Sequence, residues 1–137
     1  MAVLALEVLK KLEVKRREEL WCKALKLPTF DEVLKCKEYV QVKELKTGAY
    51  NLKKVPKLAL EVRSVETVGN CYQVILRDAH EELIQASFHP SCRDIVVKQV
   101  RKGRIMILQD VAMFSMGGSA GMKNKNYVLI VMGDCIL

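Results

Sequence analysis

The sequence predicts a mainly β fold with helices, in which a small five-stranded barrel follows an N-terminal helical arm. Two observations lead to this prediction. Apolar residues recur with helical spacing in the first part of the chain, and from about residue 54 they alternate with polar residues, as they do in half-buried strands. At 137 residues, the chain is long enough for one sizeable core plus an appendage. We expect an arm over residues 1–46 and a barrel domain over residues 47–137.

The first helix is predicted over residues 2–26, which contain neither Gly nor Pro. Leu4, Val8 and Leu12 recur every fourth residue, and Trp21 lies where the apolar pattern resumes. This spacing is typical of an amphipathic helix. An apolar stripe of this kind has to be covered, so these four residues are predicted to bind the barrel, a protein partner or a second copy of the chain.

A second, shorter helix is predicted from Thr29 to about Lys37. Pro28 ends the first helix, because proline disfavours helical backbone in the residue before it. Thr29 is followed by two acidic residues, as is common where a helix starts. The turn-like residues 47–51 then mark the boundary between the arm and the barrel domain.

Five segments with strand-like patterns follow that boundary. The first alternates through Leu58, Leu60 and Val62, and Gly69-Asn70 after it suits a type II′ hairpin turn. The other four strands are predicted at residues 71–77, 83–88, 104–114 and 127–132. Ser91 is predicted to cap a helix over residues 91–100. A helix between strands three and four is expected in an OB-fold and is not needed in an SH3-like barrel, so the OB-fold is preferred.

The charge of the chain is compatible with a polyanionic partner. Its net charge is +7, and clustered Lys and Arg displace counterions from phosphate. Residues 1–56 carry 13 basic and 8 acidic side chains, net +5, whereas residues 57–137 carry 10 and 8, net +2. Most of the excess positive charge therefore lies upstream of the predicted barrel.

Candidate nucleic-acid-binding residues follow from the way OB-folds use strands two and three and the loops beside them. Two groups of residues are expected to contact DNA: outward-facing residues on the first two strands, and residues around the last loop. These are Arg63, Gln73 and Arg77, together with Lys123, Lys125 and Tyr127. The alternative is that they are ordinary solvated side chains. Aromatic residues make up only 6% of the chain, and Tyr72 and Phe88 fall on the core side of their strands, which favours modest affinity and raises the importance of a protein partner.

Other function classes find less support in the sequence. Lys15, Arg16 and Arg17 could contact phosphate or direct nuclear import, although neighbouring glutamates favour ion pairs along a solvated helix. His89 and Cys92 are only two of the four ligands that a metal would need, and the five cysteines form no disulfide or zinc pattern. The apolar start is too short to span a membrane. We expect no membrane partner, no metal, no cofactor and no catalysis.

Several positions of the barrel domain occur together in the order and spacing of a known family. They are Lys54-Val55-Pro56, Ser64-Val65, Asp78, Glu81 or Glu82, Gln85, His89, Gly103, Leu108, Val111, Phe114-Ser115 and Tyr127-Val128-Leu129. Over residues 54–137 this pattern resembles the OB-fold region of the homologous recombination OB-fold protein family. Ala79 and His80 depart from it, because the family has Pro and Gly in that turn. Residues 42–48 also look like the segment that leads into the barrel of simple single-stranded-DNA-binding proteins.

The resemblance implies a nuclear, non-enzymatic accessory factor of DNA repair by homologous recombination. Such a factor would bind DNA, expected here to be single-stranded and held with modest affinity, and a protein partner such as a hexameric helicase of the minichromosome-maintenance type. Self-association through the first helix is a further expectation. The alternative is an OB-fold interaction module that scaffolds a larger complex without binding nucleic acid itself.

Overall fold

A computed structural model describes residues 2–47, 50, 53–116 and 126–137. The chain forms two compact units, Met1–Cys36 and Lys37–Leu137. The sequence placed the boundary later, between residues 46 and 47. The difference arises because Val42 and Leu45 are fully buried in the core of the barrel, so the segment that carries them belongs to the barrel unit.

The first unit consists of helices α1 (Ala2–Leu25) and α2 (Phe30–Lys35). Lys26 has a left-handed backbone with φ of +57°, and the Leu27 amide donates to the Cys22 carbonyl at 2.9 Å. This is a Schellman motif, which ends α1 before Pro28. Thr29 caps α2, because its hydroxyl oxygen accepts from the Glu32 amide at 3.2 Å. The predicted start of this helix at Thr29 agrees with this cap, and its predicted end near Lys37 lies beyond the observed end at Lys35.

The second unit is a closed five-stranded barrel with the strand order β1-β2-β3-β5-β4. All neighbouring strands are antiparallel except β3 and β5, which are parallel. The strands are β1 (Lys54–Val68), β2 (Cys71–Arg77), β3 (Leu83–Phe88), β4 (Ile105–Met116) and β5 (Asn126–Val131). The predicted OB-fold is confirmed.

Short helices precede, connect and follow the strands of the barrel. They are α3 (Val42–Leu45), a 3₁₀ turn (Pro90–Cys92), α4 (Arg93–Gln99) and a second 3₁₀ turn (Gly133–Cys135). The predicted helix between strands three and four is present, but its predicted cap is wrong. The His89 ring nitrogen, and not Ser91, accepts at the start of this segment, from the Ser91 amide at 3.1 Å. Pro90 begins the turn, where its missing N–H costs nothing.

The core follows the alternation of the strands. Val74 and Leu76 on β2 are fully buried, and Phe88 on β3 is fully buried as predicted. Tyr72 is partly buried and packs against the same core. Gly69 has φ of +60° and Asn70 keeps a negative φ, while Val68 pairs with Cys71, which together make the predicted type II′ hairpin.

Candidate nucleic-acid interface

The outer face of the barrel is defined by residues that lie opposite one another on neighbouring strands, since such residues share a face. One row runs across five strands through Phe114, Val128, Gln85, Ile75 and Ser64. Ile75 lies between the fully buried Val74 and Leu76, so this row faces away from the core. The next row contains Ala112, Ile130, Ser87, Gln73 and Glu66. We call these two rows, together with Arg77, Glu61 and Arg63 beside them, the outer sheet face.

Phe114 supplies an aromatic ring to the outer sheet face. It is 43% exposed, although its neighbour Met113 on the same strand is fully buried. The sequence placed Phe114 at the end of the fourth predicted strand and in the family pattern, but not among the expected DNA contacts. Its outward position depends on its pairing with Val128 of β5, which is set by the register of two distant segments.

Gln73 lies on the outer sheet face, as the alternation of residues along its strand predicted. It is half-buried and is paired with Glu66 on one side and Ser87 on the other. Gln85, one row away, is half-buried on the same face. Amide and hydroxyl groups of this kind can donate to and accept from the edges of unpaired bases.

Arg63 and Arg77 are brought together by the carboxylate of Glu61, which was not among the residues predicted from the sequence. Glu61 is only 5% exposed, and its Oε1 accepts from Arg77 Nε at 3.2 Å and Nη2 at 2.9 Å. Its other oxygen lies 3.6 Å from Arg63 Nη1. A register shift between Val62 and Ser64 marks a β-bulge at this point. The two arginines therefore share one negative charge, and the group keeps a net charge of +1.

Three further residues were predicted to contact DNA, and one of them belongs to the described part of the chain. Tyr127 is half-buried and packs against the barrel core, which makes it a poor stacking platform. Lys123 and Lys125 lie outside the described residues.

The predicted partner-binding residues of α1 also differ from one another. Val8 and Leu12 are exposed, whereas Trp21 is 1% exposed and so is already covered within the chain. The side chain of Leu4 is not among those described. Exposed apolar residues on α1 surround the helix rather than forming the predicted stripe: Leu6, Val8, Leu9, Leu12, Val14 and Leu20.

Asp78 has a structural role in the turn between β2 and β3. It is 4% exposed, and its Oδ1 accepts from the His80 and Glu82 amides, both at 3.0 Å. Its Oδ2 accepts from the Val42 amide at 3.0 Å, which attaches α3 to this turn. One carboxylate thus satisfies three backbone donors, and this accounts for an aspartate at the start of the turn.

Within the described part of the chain, no three His, Cys, Asp or Glu side chains are grouped so as to hold a metal ion. Nor does that part contain a helix long and apolar enough to cross a membrane. The five cysteines are unpaired. Burial raises the pKa of the Cys92 thiol, whose Sγ donates to the Val131 carbonyl at 3.5 Å, so Cys92 is a poor nucleophile.

Solved structures with a similar fold include a putative aspartyl-tRNA synthetase from Leishmania major Friedlin and the aspartyl-tRNA synthetase from Entamoeba histolytica. The TM-scores are 0.53 and 0.52, and each synthetase is 16% identical to this chain in sequence. The matches cover 69% and 68% of this chain but only 20% of either synthetase chain. At this identity the likeness supports the OB-fold and no narrower family. No family model matches the sequence, and no curated protein matches it.

Proposed function

We propose that the barrel binds single-stranded nucleic acid across its outer sheet face, as a binding module and not as an enzyme. The observation that carries this proposal is the exposed Phe114 ring, placed in one row with the polar Gln85 and beside the row that contains Gln73. OB-folds bind oligonucleotides on the face of strands two and three and with the loops beside it. Phe114 lies near the end of β4, on the far side of β5 from β3, and an exposed aromatic ring at this position can stack on a base of any sequence.

The dimensions of the surface suit a short stretch of a strand. Along the curved surface of the closed barrel, Phe114 on β4 and Arg77 on β2 are three strand spacings and one row apart, which corresponds to a path of roughly 16 Å. A base stacked at Phe114 and a phosphate near the Arg63 and Arg77 pair can then belong to the same strand. A single stacking platform and a half-neutralised pair of arginines support modest affinity.

Two further observations agree with a nucleic-acid partner. The net charge of +7 is suited to phosphate. The similar solved structures are described as tRNA synthetases, so a barrel of this shape also occurs in proteins named for an RNA. The finer proposal, a nuclear accessory factor of DNA repair and homologous recombination, is supported by the sequence resemblance alone.

A titration with labelled single-stranded oligonucleotides tests the proposal. Oligo(dT) and oligo(U) of equal length are compared, with duplex DNA as competitor. Phe114→Ala is expected to weaken binding by about 5- to 150-fold, since stacking on one ring contributes about 1 to 3 kcal/mol. Phe114→Leu keeps apolar bulk without the ring, and Leu137→Ala alters an exposed apolar residue outside the outer sheet face; only the former is expected to weaken binding.

No binding at low salt, or equal affinities for Phe114→Ala and the native chain, would contradict the proposal. A preference for oligo(dT) would support the DNA-repair assignment, and a preference for oligo(U) would direct it towards RNA.

The second candidate is a protein-interaction module, and the exposed apolar residues of α1 favour it. A second copy of the chain or a minichromosome-maintenance-type hexamer would cover Leu9 and Leu12. Sedimentation of the full chain, alone and with a purified hexamer, is compared with a Leu9→Lys/Leu12→Lys variant. Under this candidate the native chain self-associates or co-sediments and the variant does not. A native chain that stays monomeric and does not co-sediment would exclude it.

A further inference from the structure

A strongly basic segment lies apart from the residues predicted for DNA. It spans residues 93–104 and contains five cations and a single acidic residue, Asp94. The cations are Arg93, Lys98, Arg101, Lys102 and Arg104. The segment's net charge of +4 is most of the +5 of residues 37–137, which carry 15 basic and 10 acidic side chains. The positive charge of the barrel unit is therefore concentrated on α4 and the loop after it, here called the basic track.

The cations of the basic track are available to a ligand. All five side chains are exposed, and none of them forms an ion pair or side-chain hydrogen bond with another described residue. Arg77 differs, because Glu61 binds it at 2.9 Å. The charges of the track are thus not neutralised locally, so they can neutralise phosphates and release the counterions that condense on a nucleic acid.

The backbone holds one end of the track in a fixed position. The Gly103 amide donates to the Val62 carbonyl and the Val62 amide donates to the Arg104 carbonyl, both at 2.8 Å. Gly103 has φ of +92°, a conformation that favours glycine. Because Val62 precedes Arg63, these bonds place the loop alongside the bulge at the edge of the outer sheet face.

The other end of the track borders an open cleft of about 440 Å³ at the tip of the β1–β2 hairpin. Arg93 lines this cleft together with Thr67, Asn70 and Tyr72. The track therefore runs from the hairpin tip to the β1 bulge. Along α4, Arg93 and Lys98 are separated by about 8 Å of helix rise, and the other three cations follow α4 in sequence.

We propose that the basic track binds the phosphate backbone of a single strand as it leaves the outer sheet face. The inference rests on the proposed function and adds the position of the backbone outside the stacking region. Cations that are spread along a segment of twelve residues match a chain with spaced charges better than they match one compact anion. Val97 is the one large apolar side chain of α4 that is strongly exposed, which is less than an interfacial membrane helix requires.

The salt dependence of oligonucleotide binding tests this inference. Each phosphate contact contributes about −0.7 to the slope of log K against log salt for single strands, so at about 0.15 M salt it is worth roughly 4-fold in affinity. The variant Lys98→Gln/Arg101→Gln/Lys102→Gln is therefore expected to bind up to about 50-fold more weakly, with a slope reduced by about 2.

A second triple variant provides the matched control. Lys37→Gln/Lys43→Gln/Lys53→Gln removes the same charge from exposed residues of the same unit. It is expected to retain nearly the native slope. Thermal unfolding of both triple variants shows whether either change disturbs the fold, and only variants with a native transition are compared.

The possible outcomes separate this inference from the proposed function. If the slope were unchanged in the track variant while Phe114→Ala still weakened binding, the basic track would not bind the phosphate backbone. Binding at the outer sheet face would then still be supported. Equal effects in both triple variants would reduce the track to a contribution of net charge. Polyglutamate and vesicles of phosphatidylcholine with phosphatidylserine serve as other polyanions, and tighter, track-dependent binding to either would overturn the assignment to nucleic acid.

Discussion

Replacing Glu61 by glutamine should loosen the fold and strengthen nucleic-acid binding at the same time. Glu61 is 5% exposed, and it holds Arg77 at 2.9 Å and Arg63 at 3.6 Å. Glutamine keeps the size and one acceptor oxygen but removes the charge. The local net charge then rises from +1 to +2, and both guanidinium groups become more available to phosphate.

The expected loss of stability follows from the hydrogen bonds that weaken. Hydrogen bonds to a charged group contribute about 1.5 to 3 kcal/mol and neutral ones about 0.5 to 1.5. The side chains of Arg77 and Arg63 are 18% and 35% exposed, so water screens part of this difference. We expect Glu61→Gln to lower the free energy of unfolding by about 1 to 2 kcal/mol, which lowers Tm by roughly 4 to 16 °C.

The expected gain in binding equals about one additional phosphate contact. That corresponds to roughly 4-fold in affinity at about 0.15 M salt and a slope steeper by about 0.7. The assay combines urea unfolding with oligonucleotide titration at several salt concentrations. Glu44→Gln is the matched control, because Glu44 lies exposed in α3, outside the outer sheet face, and its loss changes the net charge equally. If Glu61→Gln bound no more tightly than Glu44→Gln, the two arginines would not contact the ligand and the reasoning would fail.

Two other substitutions or treatments test the description of the barrel. Asp78→Ala removes the acceptor of three backbone donors and should cost about 3 to 6 kcal/mol in urea unfolding; a loss below about 1 kcal/mol would show that water replaces the carboxylate. Burial raises the pKa of the Cys92 thiol, so Cys92 should be alkylated more slowly at pH 8 than the half-buried Cys22, Cys36 and Cys71, and equal rates would refute its burial. Because the unfolded chain loses this proton first, stability should also decline as pH rises above about 8.5.

The barrel strands were predictable where local signals bounded them. The predicted bounds of β2 and β3 match the structure, because strict alternation in each is interrupted by turn residues at Gly69 and Asp78. Helix α3 was not predicted, since four residues are too few to show a helical period. Its attachment to the Asp78 carboxylate joins residues 36 positions apart in sequence, which no local pattern reveals.

The candidate site was predictable only in part. The alternation of residues along β2 predicted that Gln73 and Arg77 face outward. It could not show that Glu61 neutralises Arg77, because that contact depends on the β1–β2 register. The bulge beside Arg63 breaks the alternation of residues along β1. The exposed position of Phe114 depends on pairing with β5. The basic track, in contrast, was visible as five cations in twelve residues, and a count of charge by segment would have found it.

Photocross-linking tests the central claim, that the outer sheet face binds single-stranded nucleic acid, most directly. An oligonucleotide carrying 5-iodouracil is irradiated with the 137-residue chain, and the cross-linked tryptic peptides are identified by mass spectrometry. We predict a cross-link in the peptide of residues 105–123, which contains Phe114, and its loss in Phe114→Ala. Cross-links confined to residues 1–36, or a cross-link in 105–123 that persists in Phe114→Ala, would contradict the claim.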